Sequence, residues 1–127
     1  MKYLLDTHTF IWFLEGSEML PSRLVEIIRD LNNDCYVSIA SLWELSIKIS
    51  SGILELQTEF KDLENSIDIL SLKILPVNFA HINEVFKLDF HHRDPFDRII
   101  IAQSITENLT IISKDKNFSL YPIKLLW

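Results

Sequence analysis

The chain has 127 residues, a formal net charge of -6, two glycines, four prolines and one cysteine. Two glycines cannot build a glycine-rich phosphate cradle or a dinucleotide fingerprint. The acidic balance supplies no general positive field for nucleic acid, and the lone Cys35 rules out an intramolecular disulfide framework.

The length fits one domain spanning residues 1–127 with a core of its own. No stretch reads as a leader or a membrane span, because Asp6 interrupts the first apolar residues and Phe10 to Leu14 is too short to cross a bilayer. The expected setting is the reducing cytoplasm, with no membrane partner and with Cys35 as a buried structural thiol.

In chain order, Tyr3-Leu4-Leu5 reads as a buried strand stopping at Asp6, and Thr7 opens a helix over about Thr9 to Leu14 that ends near Gly16. That helix is apolar enough to expect part of it, around Trp12, to be exposed and to meet a partner. Pro21-Ser22 starts a second helix that Asn32-Asn33 stops, and Cys35-Tyr36-Val37 is a second strand ending at Ser38. Ser41-Leu42-Trp43-Glu44 reads as a capping box opening the next helix. Thr58 is placed to cap a helix through Leu63, Ile67 and Leu70, and Lys73 to Val77 is a strand whose Pro76 puts it at a sheet edge or marks a strand end.

Asn78 caps a helix carrying Ile82, Val85, Phe86 and Leu88. A polar bridge then leads to Asp94-Pro95-Phe96-Asp97, where aspartate before proline marks a helix start and Asp97 completes a box-like first turn. The run Ile99 to Ala102 makes this helix apolar nearly all round, hence shielded from water. Asn108 is a left-handed stop, Thr110 to Ser113 is a β-branched strand followed by Asp115, and Ile123 to Leu126 is a final short strand after Tyr121-Pro122. Strands alternating with helices predict an α/β fold, a mainly parallel sheet of four or five strands covered on both faces, with its ligand crevice outside the carboxyl ends of the strands.

Asp6, Glu44, Asp97 and Asp115 are the acids this topology can bring to that edge, with Asp94 a nearby fifth. Asp97 reaches it only if its helix N-terminus points there. The plain alternative is that Asp94 and Asp97, like Glu44, only cap helices. Two unit charges about 4 Å apart repel by about 4 kcal/mol at an effective dielectric near 20, so clustered carboxylates call for a cation. Hard oxygen ligands without histidine or cysteine at zinc-like spacing select magnesium or manganese, and those ions point to phosphoryl chemistry with an activated water. His8, His81, His91 and His92 are read as surface or supporting residues. Arg93, Arg98, Lys48, Lys114 and Lys116 lie close to the acids in sequence and could anchor a phosphate backbone, or simply form a solvated face.

With Tyr3-Leu4-Leu5-Asp6-Thr7-His8, Ser41-Leu42-Trp43-Glu44 and Lys48, His92 to Arg98 with Ala102-Gln103, and Ile111-Ile112-Ser113-Lys114-Asp115 in that order, the chain resembles the PIN-domain ribonucleases, and most of all the VapC-type toxins of type II toxin–antitoxin modules. The resemblance implies a three-layer α/β/α sandwich. It also implies a Mg2+- or Mn2+-dependent endoribonuclease whose acidic quartet falls on Asp6, Glu44, Asp97 and Asp115, with Asp94 less certain and Ser113 as a small hydroxyl beside the site. The implied partners are RNA substrate, a cognate antitoxin whose tail crosses the acidic groove, DNA only through that antitoxin, and a second copy in a homodimer.

Two other readings come from the residues. One is a non-catalytic binding module whose acids receive a basic, antitoxin-like peptide. The other is a phosphatase or phosphoacceptor with Asp6 as nucleophile, weakened because His8 stands where a second aspartate would be expected.

Overall fold

The computed structural model describes all residues from Met1 to Trp127. Five strands, β1 (Lys2–Leu5), β2 (Asp34–Ser38), β3 (Lys73–Leu75), β4 (Thr110–Ile112) and β5 (Lys124–Leu126), form one sheet in the order β3-β2-β1-β4-β5. Every neighbouring pair is parallel. The strand order turns around at β1, between β2 on one side and β4 on the other, which is where such sheets open a crevice.

Strand periodicity sorts the core into two layers. Tyr3, Leu5, Cys35, Val37 and Ile112 pack on one face with Phe10, Leu24, Leu45 and Ile67 of α1 (Thr7–Glu15), α2 (Ser22–Arg29), α3 (Ile39–Ser50) and α4 (Leu63–Ile69). Leu4 and Ile111 pack on the other face with Ile100, Ile101 and Ala102 of α6 (Pro95–Glu107), beneath α5 (Phe79–Lys87). The result is the expected α/β/α sandwich, with all five strands parallel. Burial, with a smaller push from Asp34, raises the Cys35 thiol to about 11, as befits a structural cysteine. No helix is long and apolar enough to cross a membrane.

The helix starts account for most departures from the sequence reading. Asp6, rather than Thr7, caps α1: its Oδ1 accepts from the Thr9 amide at 2.8 Å, and Gly16, at a φ of 63°, closes the far end. Because Phe10, Ile11 and Phe13 are buried and Trp12 leans on Trp127 at 5.9 Å between rings, the apolar character of α1 belongs mostly to the core and not to an exposed face. Ser38 caps α3 through the Ala40 amide at 3.1 Å, so the helix begins before the expected Ser41 box and Glu44 lies inside it. The helix expected from Thr58 is instead a 3₁₀ turn at Phe60–Asp62 running into α4. Asn78 and Asn108 take their expected places as cap and left-handed stop.

His81 was read as a surface or supporting residue, yet it is fully buried. Its Nδ1 accepts from the Asn78 amide at 3.1 Å and its Nε2 lies 2.9 Å from Glu107, so it ties the start of α5 to the end of α6.

Candidate metal centre

A crossover helix runs against its strands, so α6, which leads into β4, starts at the carboxyl edge of the sheet. This brings Asp97, in the first turn of α6, to the end where Asp6 follows β1 and Asp115 follows β4. Glu44 comes to the same edge from the second turn of α3, after β2.

Asp6 is buried, with Oδ1 on the Thr9 amide and Oδ2 accepting from the Ser113 hydroxyl. Burial raises its carboxyl above the ordinary aspartate range, against the opposing pull of those donors. Two further bonds stitch this corner together: the Asp6 amide and the Thr9 hydroxyl both donate to the Ile112 carbonyl, at 3.2 and 2.9 Å. Glu44 is also buried, its Oε1 accepting from the Thr7 hydroxyl at 2.7 Å and its Oε2 from Lys48 Nζ at 2.8 Å. Thr7 Oγ1 in turn lies 3.0 Å from Ser41 Oγ. Asp115 uses Oδ1 to accept from the Asn117 amide at 2.9 Å and turns Oδ2 toward His92 Nε2, 3.4 Å away. Asp94 caps α6, taking the Phe96 amide at 2.8 Å.

Asp97 differs from all of these. Its carboxyl is raised to about 7, first by burial and then by the charges of Asp94, Glu44, Asp115 and Asp6. The other four acids thus all act on one half-buried carboxylate, and the net field there is strongly negative. One donor atom each from His92, Asp97 and Asp115 lies within 4.8 Å of the others. An open cleft of about 430 Å3, lined by Asp6, His8, Trp12, Met19, Lys114 and Asp115, leads to the same edge. The donor set of carboxylates with one imidazole fits a hard or borderline divalent cation, and the raised Asp97 carboxyl marks a charge that such an ion would balance.

Not every sequence candidate reaches the site. Arg98, expected among the phosphate anchors, is buried and donates to the carbonyls of Asp89, His92, Val85 and Leu88 at 2.9 to 3.3 Å while covering the Phe90 ring. It holds the bridge before α6 in place and does not line the acidic cleft. Lys114 and Arg93 are exposed, Lys114 at the mouth of the acidic cleft and Arg93 in a separate apolar groove of about 710 Å3 with Trp43, Phe90 and Phe96. Lys48 is paired to Glu44, and that bond, followed by Asp94 and Asp97 at longer range, raises its ammonium above the ordinary lysine range.

Two participants escaped the sequence reading. Thr7 holds Glu44, and only its place directly after Asp6 hinted at a role. His92, read with the other histidines as a surface or supporting residue, offers a donor atom within 4.8 Å of those of Asp97 and Asp115.

A doubly covered parallel sheet with carboxylates gathered at its switch point defines an α/β protein with an acidic site where its strands end. The PIN-domain family model matches residues 3–124, and the chain belongs to that family, whose members are generally nucleases using divalent metals. Among solved structures, the chain is similar to VapBC2 from Rickettsia felis bound to a DNA fragment from its promoter, with a TM-score of 0.74 at 21% identity over 100% of this chain and 99% of that one. It is similar to VapBC-1 from nontypeable Haemophilus influenzae, with a TM-score of 0.73 at 20% identity over 99% and 97% of the two chains. A member of the VapBC family of toxin–antitoxin systems from Mycobacterium tuberculosis, VapBC-5, gives a TM-score of 0.61 at 16% identity over 98% and 95%. These likenesses extend along the whole chain and concern the fold. No curated protein matches the sequence.

Proposed function

We propose that this PIN-domain protein is a VapC-type toxin: a Mg2+- or Mn2+-dependent endoribonuclease, acting in the cytoplasm, that is held in check by a cognate antitoxin. The observation that carries the reading is the gathering of Asp6, Glu44, Asp94 and Asp115 around Asp97, whose carboxyl rises to about 7 first through burial and then under their charge. Asp6, Glu44, Asp97 and Asp115 would hold the ion, which supplies an activated water and balances phosphate charge. Ser113 and Thr7 fix the orientations of Asp6 and Glu44, and Lys114 at the cleft mouth meets a backbone phosphate. The likeness to VapBC proteins supports an antitoxin partner. A homodimer and an antitoxin both need apolar surface, and exposed Trp43, Ile82 and Phe90 supply it around the 710 Å3 groove.

The test is cleavage of a structured RNA by purified protein with Mg2+, with Mn2+, with chelator, and with Asp97→Asn. Cleavage that needs the metal and is lost in the variant is expected; undiminished cleavage by Asp97→Asn removes the reading.

One observation favours a second reading. The Lys48 ammonium, seated on Glu44, is a basic side chain meeting one of the acids without any metal, as the side chains of a basic peptide would in a docking module. A native-state ligand must raise thermal stability. An unfolding temperature that stays flat through millimolar Mg2+ or Mn2+, with no RNA cleavage, would favour docking.

A further inference from the structure

The acidic quartet is composed of oxygen donors, yet the group closest to forming a ready ion site is not purely acidic. We propose that His92 Nε2 is a ligand of the divalent ion, together with carboxylate oxygens of Asp97 and Asp115, and that this nitrogen shifts the preference of the centre from Mg2+ toward Mn2+. The inference rests on the metal-dependent reading above and adds to it both a ligand and the kind of ion.

Three observations carry it. The three donor atoms lie within 4.8 Å of one another, and His92 Nε2 stands 3.4 Å from Asp115 Oδ2. Donors at right angles around an ion with bonds of about 2.2 Å are about 3 Å apart, so small side-chain adjustments seat one ion among them. A charge-assisted hydrogen bond would draw the same pair to about 2.8 Å, and 3.4 Å is long for one.

The ring is also held from behind. Its side chain is 8% exposed, the His91 and His92 amides donate to Tyr121 Oη at 3.2 and 2.8 Å, and the imidazole lies against Phe118 and Tyr121 at 5.0 and 5.4 Å between ring centres. Arg98 adds a donor to the His92 carbonyl at 3.3 Å. These contacts aim Nε2 at the acids before any ion arrives, which is the preorganisation a ligand needs.

The third observation is what the ring does not do. Its buried Nδ1 has no hydrogen-bond partner. The fully buried His81 offers the contrast within the same molecule, since both its nitrogens are engaged, one by the Asn78 amide and the other by Glu107. Where histidine serves this fold as a strut, both nitrogens hold close partners; in His92 the polar neighbour of Nε2 is Asp115 Oδ2 at 3.4 Å, and ligation through Nε2 would place the ring proton on Nδ1. An imidazole donor shifts preference along the divalent series away from Mg2+, which takes oxygen almost alone.

The experiment is electron spin echo spectroscopy of the Mn2+-loaded full chain, paired with calorimetric titration by Mn2+ and by Mg2+. The wild type should show 14N modulation from a directly bound imidazole. His92→Gln should lose it and lose about tenfold in Mn2+ affinity relative to Mg2+, whereas His91→Gln and His8→Gln keep both. Absence of 14N modulation in the wild type, a measurement that needs no variant to fold, overturns the assignment, as does modulation that persists in His92→Gln. If Mn2+ binds without nitrogen coupling but still needs Asp97, only the His92 ligand falls. If the wild type binds neither ion, the metal-dependent reading falls with it.

Discussion

Replacing Asp97 by asparagine keeps the shape of the side chain and removes one charge from the most crowded position in the protein. The wild-type carboxyl titrates at about 7 in the folded chain against 3.8 for the free group, with burial and then Asp94, Glu44, Asp115 and Asp6 as the causes. Folded-state binding of the proton is thus the tighter, so between those two values the native state holds more protons than the unfolded one. Stability falls as pH rises through that window and levels off above it. A shift of this size corresponds to about 4 kcal/mol if transmitted in full. Solvent reaching the half-buried group screens that to about 2 kcal/mol.

In chelator, Asp97→Asn should therefore unfold at nearly the wild-type temperature at pH 4 and about 6 °C above it at pH 8, where the whole penalty of the charge is relieved. Saturating Mn2+ should reverse the order. Ion at 100 times its dissociation constant adds about 2.7 kcal/mol to whichever protein binds it, and only the wild type should gain. Circular dichroism melts of both proteins from pH 4 to 8, with chelator and with Mn2+, give the complete comparison. An asparagine variant that is the less stable of the two at pH 8 in chelator would refute the reasoning, since the Asp97 carboxylate would then be stabilised where it sits.

Arg98→Ala strips donors from the carbonyls of Val85, Leu88, Asp89 and His92 and uncovers Phe90; urea unfolding should show a loss of about 3 to 5 kcal/mol, with Arg98→Lys recovering only part of it. Thr7→Val leaves Glu44 Oε1 without its 2.7 Å donor, so RNA cleavage should drop about tenfold while stability falls by only about 1 to 2 kcal/mol. Trp43, 63% exposed and edge-on to Phe96 at 5.2 Å, sits where an apolar partner surface is expected. Trp43→Glu should shift the free protein to monomer in sedimentation velocity, and an unchanged oligomer would move the interface elsewhere.

The sheet and its order of elements were legible because both rest on local patterns. Short apolar runs of two or three residues, broken by Asp6, Ser38 and Ser113 and separated by helical periods, leave little choice but a parallel sheet covered on both faces. What could not be read was which of two neighbouring residues would win a local competition. Ser38 and Ser41 are both sound helix caps, and only the register of β2 against β1 and β3 decides that the first is used and that Glu44 therefore turns inward. Arg98 was misplaced for a related reason. Next to Asp97 in sequence it lies on a different side of the helix, and the bridge that folds over it from Leu88 to His92 offers carbonyls that no periodicity announces. His81 and His92 show the same limit, for one became a strut and the other faces the acids although the sequence treats them alike.

Capping and metal binding were posed as rival explanations of the acids, yet in this site they are shared between two oxygens of the same carboxylate. Asp6 gives Oδ1 to the start of α1, and Asp115 gives Oδ1 to the turn after β4, leaving Oδ2 of each at the cleft, on Ser113 and facing His92. Amide donors and the positive end of a helix lower the cost of holding such charges close together. Glu44 is eased differently, by Thr7 and Lys48. Asp97 alone of the quartet accepts no hydrogen bond from the protein, so its carboxyl rises to about 7 as burial and the charges of its neighbours act unopposed. The fold has thus supplied donors to three of the four acids and left the fourth without any, which is why replacing Asp97 should stabilise the empty protein and abolish its response to metal in the same variant.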